Sequence, residues 1–590
     1  MKDNINSEEK EILQTENTPV LKSHKTKKVS KVAFLSLIGI LLLSMFFLFL
    51  NGTVHTFFAD VNYKGHNFQK AAELYQKAAN FGNNKAQTKL GIMYENGLGV
   101  KIDLNKAIEL YTKASENGNA EAQNNLGDFY DGYDGFSVDY KKAYELYSKS
   151  AEKGYPKGIM NLGWMYLKGF GVGVDYKQAK GLFEQAGEKN EPKAYEYLGE
   201  MFLNGYGVPI DFDKYKEYCA KAIDIYETNA KKGDIFAIIS LGDIYYNGKG
   251  IDVNNKKAME YYQKAADLGS AYGYNMIGSM YGDGRGVDIN HEKAIEYYKR
   301  AVEFGYNTAQ NNLGVAYFKG TGVDKDIQKS IEYLNKAADN NHVMAWENLL
   351  YIYKNDNSKG KSDDKLKEYY EKILNYYLNR AEQGDGDKFY NVADIYKNGA
   401  AIIKDEVKAK EYYKKYFDYC VALVDKGNIE AQNKMGAIYD NGLGVEESDS
   451  KALELYTKAA NNGYRVSQNN LGYFYLNGIA VKQDYKEAFN WFSKSAEQGY
   501  TNAENMVGVL LYNGKVVQQN FTKAIEWLNK AAEKGHSNAL SNMGVAYYHG
   551  NGVDVNYKIA AEYFKKAIRA DNSNETATQM LDKMKSEGKI

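Results

Sequence analysis

The side chains able to do chemistry are spread thinly along this 590-residue chain. Seven histidines (His24, His55, His66, His291, His342, His536 and His549) show no HExxH or comparable ligand spacing, so the sequence predicts no metal site. GFGVGVD, from Gly169, mimics a phosphate loop, but a phosphate cradle needs a strand before it, and this stretch joins two helical patterns. No G-x-S-x-G nucleophile elbow occurs, and the acidic residues are dispersed without a pair suited to acid–base work. The expectation is a protein that is not an enzyme and holds no cofactor. The best candidates for a binding role form an asparagine array: Asn124, Asn125, Asn161, Asn311, Asn312, Asn433, Asn469, Asn470 and Asn542. An amide carries both donor and acceptor, so such an array along a groove can pair with the backbone of an extended peptide. The alternative is that the amides bond one another between helices. Trp164, Trp346, Trp491 and Trp527 are too few and scattered to mark a sugar-binding face.

The elements that position these asparagines come from an internal repeat. A glycine, mostly in "LG", recurs at Gly91, Gly127, Gly163, Gly199, Gly242, Gly278, Gly314, Gly436, Gly472, Gly508 and Gly544. When Leu350 and Ala393 fill the two degenerate slots, every interval is 36 or 43 and thirteen units result. In the unit Ala86 to Gly118, Ala86, Leu90, Gly91 and Tyr94 share one helical face, and Ala107, Tyr111 and Ala114 share another. Each unit is therefore a pair of amphipathic helices, joined by a loop at Gly97 and Gly99, with Asp103 opening the second helix and Gly118 ending it. Glycine inside a helix costs about 1 kcal/mol against alanine, so Gly91 predicts a close helix approach, with Ala114 as the small facing surface. The tyrosine three residues after each glycine (Tyr130, Tyr166, Tyr245 and their equivalents) is expected to be core between neighbouring pairs. The 43-residue units carry seven extra residues, nearly two helical turns, which lengthen the second helix without rotating its buried face. KNDNSKGKSDD predicts a flexible break at 351–364, dividing the array into 60–350 and 365–571. Residues 572–590 read as a polar capping helix. Cys219 and Cys420, several units apart, are expected to be unpaired because a solenoid separates distant repeats.

Val32 to Leu50 is nineteen residues without a charge, about 28 Å as a helix, and reads as a single transmembrane anchor at 32–50. A cleaved signal peptide is the alternative, though only a poor cleavage site exists at Ala59. Lys22, Lys25, Lys27, Lys28 and Lys31 precede the segment and no Lys follows before Lys64, which predicts a cytoplasmic polar tail at 1–31 and repeats on the non-cytoplasmic, periplasmic or extracellular, side. With 75 basic and 76 acidic residues, the chain lacks the charge footprint of a nucleic-acid binder.

The string A-x-x-x-L-G-x-x-Y-x-x-G-x-G-V-x-x-D-x-x-K-A-x-x-x-Y-x-K-A-A-E-x-G, nearly whole at Ala86–Gly118 and Ala309–Ala338, resembles the Sel1-like repeat family, a relative of the tetratricopeptide repeats. The resemblance implies an all-α, right-handed superhelical solenoid of about thirteen helix pairs behind the transmembrane helix, whose concave surface serves as an adaptor or assembly platform. Cysteine-rich secreted relatives carry a disulfide in each unit; this chain lacks those cysteines, and an activity peculiar to that branch does not carry over. The leading expectation is a membrane-anchored scaffold for protein or peptide partners, with a cavity on the order of 100 Å long if each pair adds about 10 Å. A factor that binds peptidoglycan or secreted polysaccharide, and a catalytic member with a site built across repeats, are the competing readings.

Overall fold

A computed structural model describes residues 38, 39, 43, 46, 50–132, 138–355, 363–399, 403–514 and 518–590. Every regular element among them is an α-helix, and we number these in chain order from α1 (50–64) to α29 (Glu575–Ser586). Of the apolar segment 32–50, most residues lie outside the described ones; among the described residues no helix is long and apolar enough to cross a membrane.

The helices stack in pairs. The unit read from the sequence becomes α3 (Asn84–Asn96) and α4 (Leu104–Glu116), with Leu90, Met93, Ala107, Tyr111 and Ala114 buried. Asp103 caps α4 by accepting from the Lys106 amide at 3.0 Å. Gly97 ends α3 at φ 69°, and Gly99, also at φ 69°, lies so close to Phe68 that a Cβ would fall 2.3 Å from its carbonyl carbon. The loop glycines thus serve both turning and stacking. In the longer units α10 (Phe212–Lys231), α18 (Asp363–Glu382) and α20 (Glu406–Asp425) have 20 residues against 13 in α4.

At the near end α1 takes the first-helix place beside α2 (Phe68–Asn80): Ala59 is fully buried, and the Tyr75 hydroxyl donates to Asp60 at 2.6 Å. At the far end α29 packs on α27 (Ser537–His549) and α28 (Tyr557–Ala570). Residues 356–362, most of the expected break, lie outside the described residues, yet the core is continuous across them. Ile331 and Leu334 of α16 (Ile327–Ala338), Leu349 and Ile352 of α17 (Val343–Asn355), and Tyr369 and Ile373 of α18 form one cluster.

Distant units also meet, which corrects the expectation that the solenoid keeps them apart. Loops inside early units touch loops between late ones. The Ile102 amide donates to the Phe304 carbonyl at 2.9 Å, and the Gln383 side chain accepts from the Tyr140 amide at 3.0 Å while donating to the Val138 carbonyl at 2.5 Å. Asn428 donates to the Tyr176 hydroxyl at 2.8 Å, the Tyr206 hydroxyl donates to Glu430, and Arg569 donates to the Gly282 carbonyl. Successive turns of the superhelix therefore rest on each other along a seam. Cys219 and Cys420 are free and buried.

Candidate functional site

Consecutive first helices touch: α5 (Ala120–Tyr130) meets α7 (Pro156–Lys168), and α15 (Asn307–Lys319) meets α17. Elements that crowd across a repeat line the inside of its curve, so the first helices form the inner wall. On that wall each "LG" glycine faces a large second-helix side chain, a ring in most units and a leucine at Gly314 and Gly508, rather than the expected alanine. A Cβ on Gly91 would come within 2.6 Å of Tyr111 Cε1, and one on Gly127 within 2.6 Å of Tyr147 Cε1. Ala114 is buried but is not what the glycine accommodates.

That side chain carries a pattern visible only in three dimensions. Where it is tyrosine, a polar side chain one or four residues after the glycine mostly receives the hydroxyl: Glu95 from Tyr111 at 2.6 Å, Asp128 from Tyr147 at 2.7 Å, Asp243 from Tyr262 at 2.8 Å, Ser279 from Tyr298 at 3.3 Å, and Asp440 from Tyr456 at 3.4 Å; Tyr215, facing Gly199, instead accepts from the Gly250 amide at 3.0 Å. Where it is Phe183, Leu334, Phe492, Leu528 or Phe564, the residue after the glycine is Trp164, Val315, Tyr473, Val509 or Val545. Burial pushes Glu95 and Asp131 up to about 7 and Asp128 up to about 6, against hydrogen bonds from Tyr111 and Tyr147 that favour the charged forms of Glu95 and Asp128. Glu196 is the counter-case: burial would raise it, yet Lys193 and Lys249, each at 3.0 Å, hold its carboxyl below the ordinary value. The tyrosines three residues after the glycines are half-buried rather than core. Lysines lie over them, as Lys106 does over Tyr94 at 4.3 Å, and they stack on second-helix rings of their own pair, as Tyr245 does on Tyr261 at 5.7 Å.

The asparagines form rungs between successive units. Asn161 Nδ2 donates to Asn124 Oδ1 at 3.0 Å, Asn470 to Asn433 at 3.1 Å, Asn312 to Asn275 at 3.0 Å, Asn348 to Asn311 at 2.8 Å, and Asn542 to Asn505 at 3.1 Å. Asn124 Nδ2 also donates to Asn125 Oδ1 at 3.2 Å. Asn469 is the exception: its Oδ1 is buried without a partner, because the residue that would reach it is Met506. Two of the equivalent places are apolar on both sides, Met160 with Tyr197 and Ile239 with Met276.

Of the nine candidates only Asn311 and Asn312 line a cavity of about 1350 Å³ between α13 (Ala271–Asp283), α14 (His291–Glu303), α15, α16 and α17 on one side and α28 on the other. Asn348 joins them there, with Phe318, Met344, Tyr351 and Ile352 on the same side. Met344 and Tyr351 are both 57% exposed, a large apolar area for a soluble surface. The facing wall supplies Glu562, Lys565, Lys566 and Arg569 from α28. None of the four tryptophans lines it: Trp346 is buried, Trp164 stacks on Tyr197 at 5.0 Å, and Lys494 and Lys530 lie over Trp491 and Trp527. Among the described residues no group of three or more His, Cys, Asp or Glu side chains is placed to hold a metal ion.

The Sel1 repeat model matches thirteen segments between residues 62 and 572, the first at 62–83 and the next at 84–119, 120–155 and 156–191. The chain belongs to the Sel1 repeat family. Such proteins are generally protein-interaction scaffolds, typically without catalysis. Three solved structures are similar. A protective antigen of uropathogenic Escherichia coli with an SLR fold shares 29% identity over 81% of this chain and 97% of its own, at a TM-score of 0.28. A Sel1 repeat protein from Oxalobacter formigenes shares 24% over 61% and 90%, at 0.27. Cysteine rich protein B of Helicobacter pylori shares 26% over 22% and 99%, at 0.19. No curated protein matches the chain. The thirteen matched Sel1 segments are not the thirteen units read from the glycines: they include 62–83 and skip 343–389, where α17 and α18 nevertheless occupy a full unit. Asn275, Asn348 and Asn505 escaped the sequence reading, although a 37-residue offset from Asn312, Asn311 and Asn542 would have found them.

Proposed function

We propose that this Sel1-repeat chain is a non-enzymatic scaffold, anchored by 32–50 with its repeats on the non-cytoplasmic side, that holds extended segments of partner proteins in the cavity between α13–α17 and α28. The observation that carries the reading is the use of the amides. Each rung spends only one Nδ2 proton of Asn312 and of Asn348, so both side chains keep an acceptor and a second donor beside exposed Met344 and Tyr351. An amide-lined, apolar groove suits a peptide, whose backbone needs donor–acceptor pairs and whose side chains need apolar pockets.

The test is crosslinking in native cells followed by purification of the tagged full-length protein and its Met344→Ala/Tyr351→Ala variant. Both side chains are exposed, so the variant should fold normally. A reproducible set of envelope proteins lost in the variant supports the reading. Recovery of wall or capsule sugar without such proteins would favour the polysaccharide factor instead.

A further inference from the structure

The two ends of the solenoid are finished differently. At the far end every exposed residue of α29 is polar or charged, among them Glu575, Gln579, Asp582, Lys583 and Lys585, as a terminal unit in water requires. At the near end one face of α1 packs on the array: Gly52 meets Phe81 and Asn83, Thr56 and Ala59 are buried, and the carboxylate of Asp60 is bonded to Tyr75 and Lys85. The opposite face is bare and apolar. Leu50, Val54, Phe57 and Val61 are 47%, 45%, 64% and 53% exposed, and Phe58 lies beside them at 52%. No charged residue occurs between Lys31 and Asp60.

We propose that this stripe is the contact along which two copies of the chain pair in parallel, just outside the membrane. Three features select a second copy. The steps from Leu50 to Val54, Phe57 and Val61 are four, three and four residues, the spacing by which two parallel helices interlock their side chains. The helix already includes Leu50, the last residue of the apolar segment, so α1 leaves the membrane directly; at about 1.5 Å per residue Val61 stands roughly 16 Å beyond Leu50, past the reach of the hydrocarbon. Both copies emerge from the same face of the membrane, so their stripes run in the same direction and register. A contact of about two heptads is marginal between free chains in water, but anchoring in one membrane raises the effective concentration. The parallel orientation rests on the anchor reading above.

The experiment uses the full-length protein in native membranes with single cysteines introduced at Val54→Cys, Phe57→Cys and Val61→Cys, and at exposed Thr53→Cys off the stripe. Cys219 and Cys420 are buried and stay silent. Mild oxidation should double the apparent mass on non-reducing gels for the stripe variants and leave Thr53→Cys monomeric. Alkaline carbonate extraction of the same samples reports on the anchor separately. Stripe dimers in carbonate-soluble protein would refute the anchor and keep the pairing. Absence of dimers at all three stripe positions overturns the pairing whether or not the protein is membrane-bound, and labelling of those cysteines by a photoactivatable phospholipid would then give the stripe to the bilayer.

Discussion

Asn275 and Asn469 occupy the same place on their helices, yet one substitution should act on them with opposite sign. Asn275 Oδ1 receives Asn312, so Asn275→Met removes a made hydrogen bond and should cost about 1 kcal/mol. Asn469 Oδ1 is buried and unpartnered beneath Met506, so Asn469→Met converts a mismatched rung into an apolar one like Ile239 with Met276 and should stabilise by about 1 kcal/mol. Chemical denaturation of each variant decides; equal signs would refute the rung account. The glycines give a second contrast. Gly127→Ala drives a methyl into the Tyr147 ring and should cost about 1–3 kcal/mol, whereas Gly181→Ala, on an exposed part of α8 (Tyr176–Glu188) with nothing within 4 Å, should gain about 0.5–1 kcal/mol. The need for glycine was legible from its cost inside a helix. Its partner was not, because alanine and tyrosine both recur with the same period in the facing helix, and only the packing distinguishes them.

At the scale of elements, α3 and α5 carry Glu95 and Asp128, and Asp131 caps the end of α5; burial raises their carboxyls to about 7, 6 and 7. The folded chain therefore keeps these protons at a pH where the unfolded chain has released them. Their contribution to stability is fully present below about pH 4 and is lost as the pH rises through about 6 to 7. The melting temperature should accordingly fall between about pH 5 and about pH 8, and Glu95→Gln with Asp128→Asn, which preserve acceptors for Tyr111 and Tyr147, should flatten that fall. An unchanged slope in the double variant would place the titration elsewhere. Helix pairs, caps and the lengthened α10, α18 and α20 were all legible, since each follows from apolar spacing and turn residues within one unit. The asparagine array was half legible: its residues stood out in the sequence, but the rungs join non-identical positions of neighbouring units, and only the cavity brings Asn311, Asn312 and Asn348 together.

The whole molecule departs from a one-dimensional stack. In such a stack each unit touches only its neighbours, stability is a sum of local terms, and removing one end leaves distant units undisturbed. Self-similarity in the sequence reports those neighbour contacts, because the same face is used again in every unit. The seam pairs residues with no common period, Tyr140 with Gln383 and Gly282 with Arg569, and so left no trace in the repeat pattern. It does have an energetic consequence. Asn255 donates to the Glu533 carbonyl at 3.1 Å, and Arg569 contacts both the Gly282 carbonyl and His291, so the last units brace the loops before α12 (Asn255–Asp267) and α14 (His291–Glu303) although nearly 280 residues separate them. Deleting residues 521–590, which removes both Glu533 and Arg569, should therefore speed amide hydrogen exchange in the loops around 253–257 and 282–291, while loops of equal exposure on the array's free edges keep their rates. Faster exchange confined to the units beside the cut would mean that the turns merely lie near each other and that the array is an ordinary linear stack.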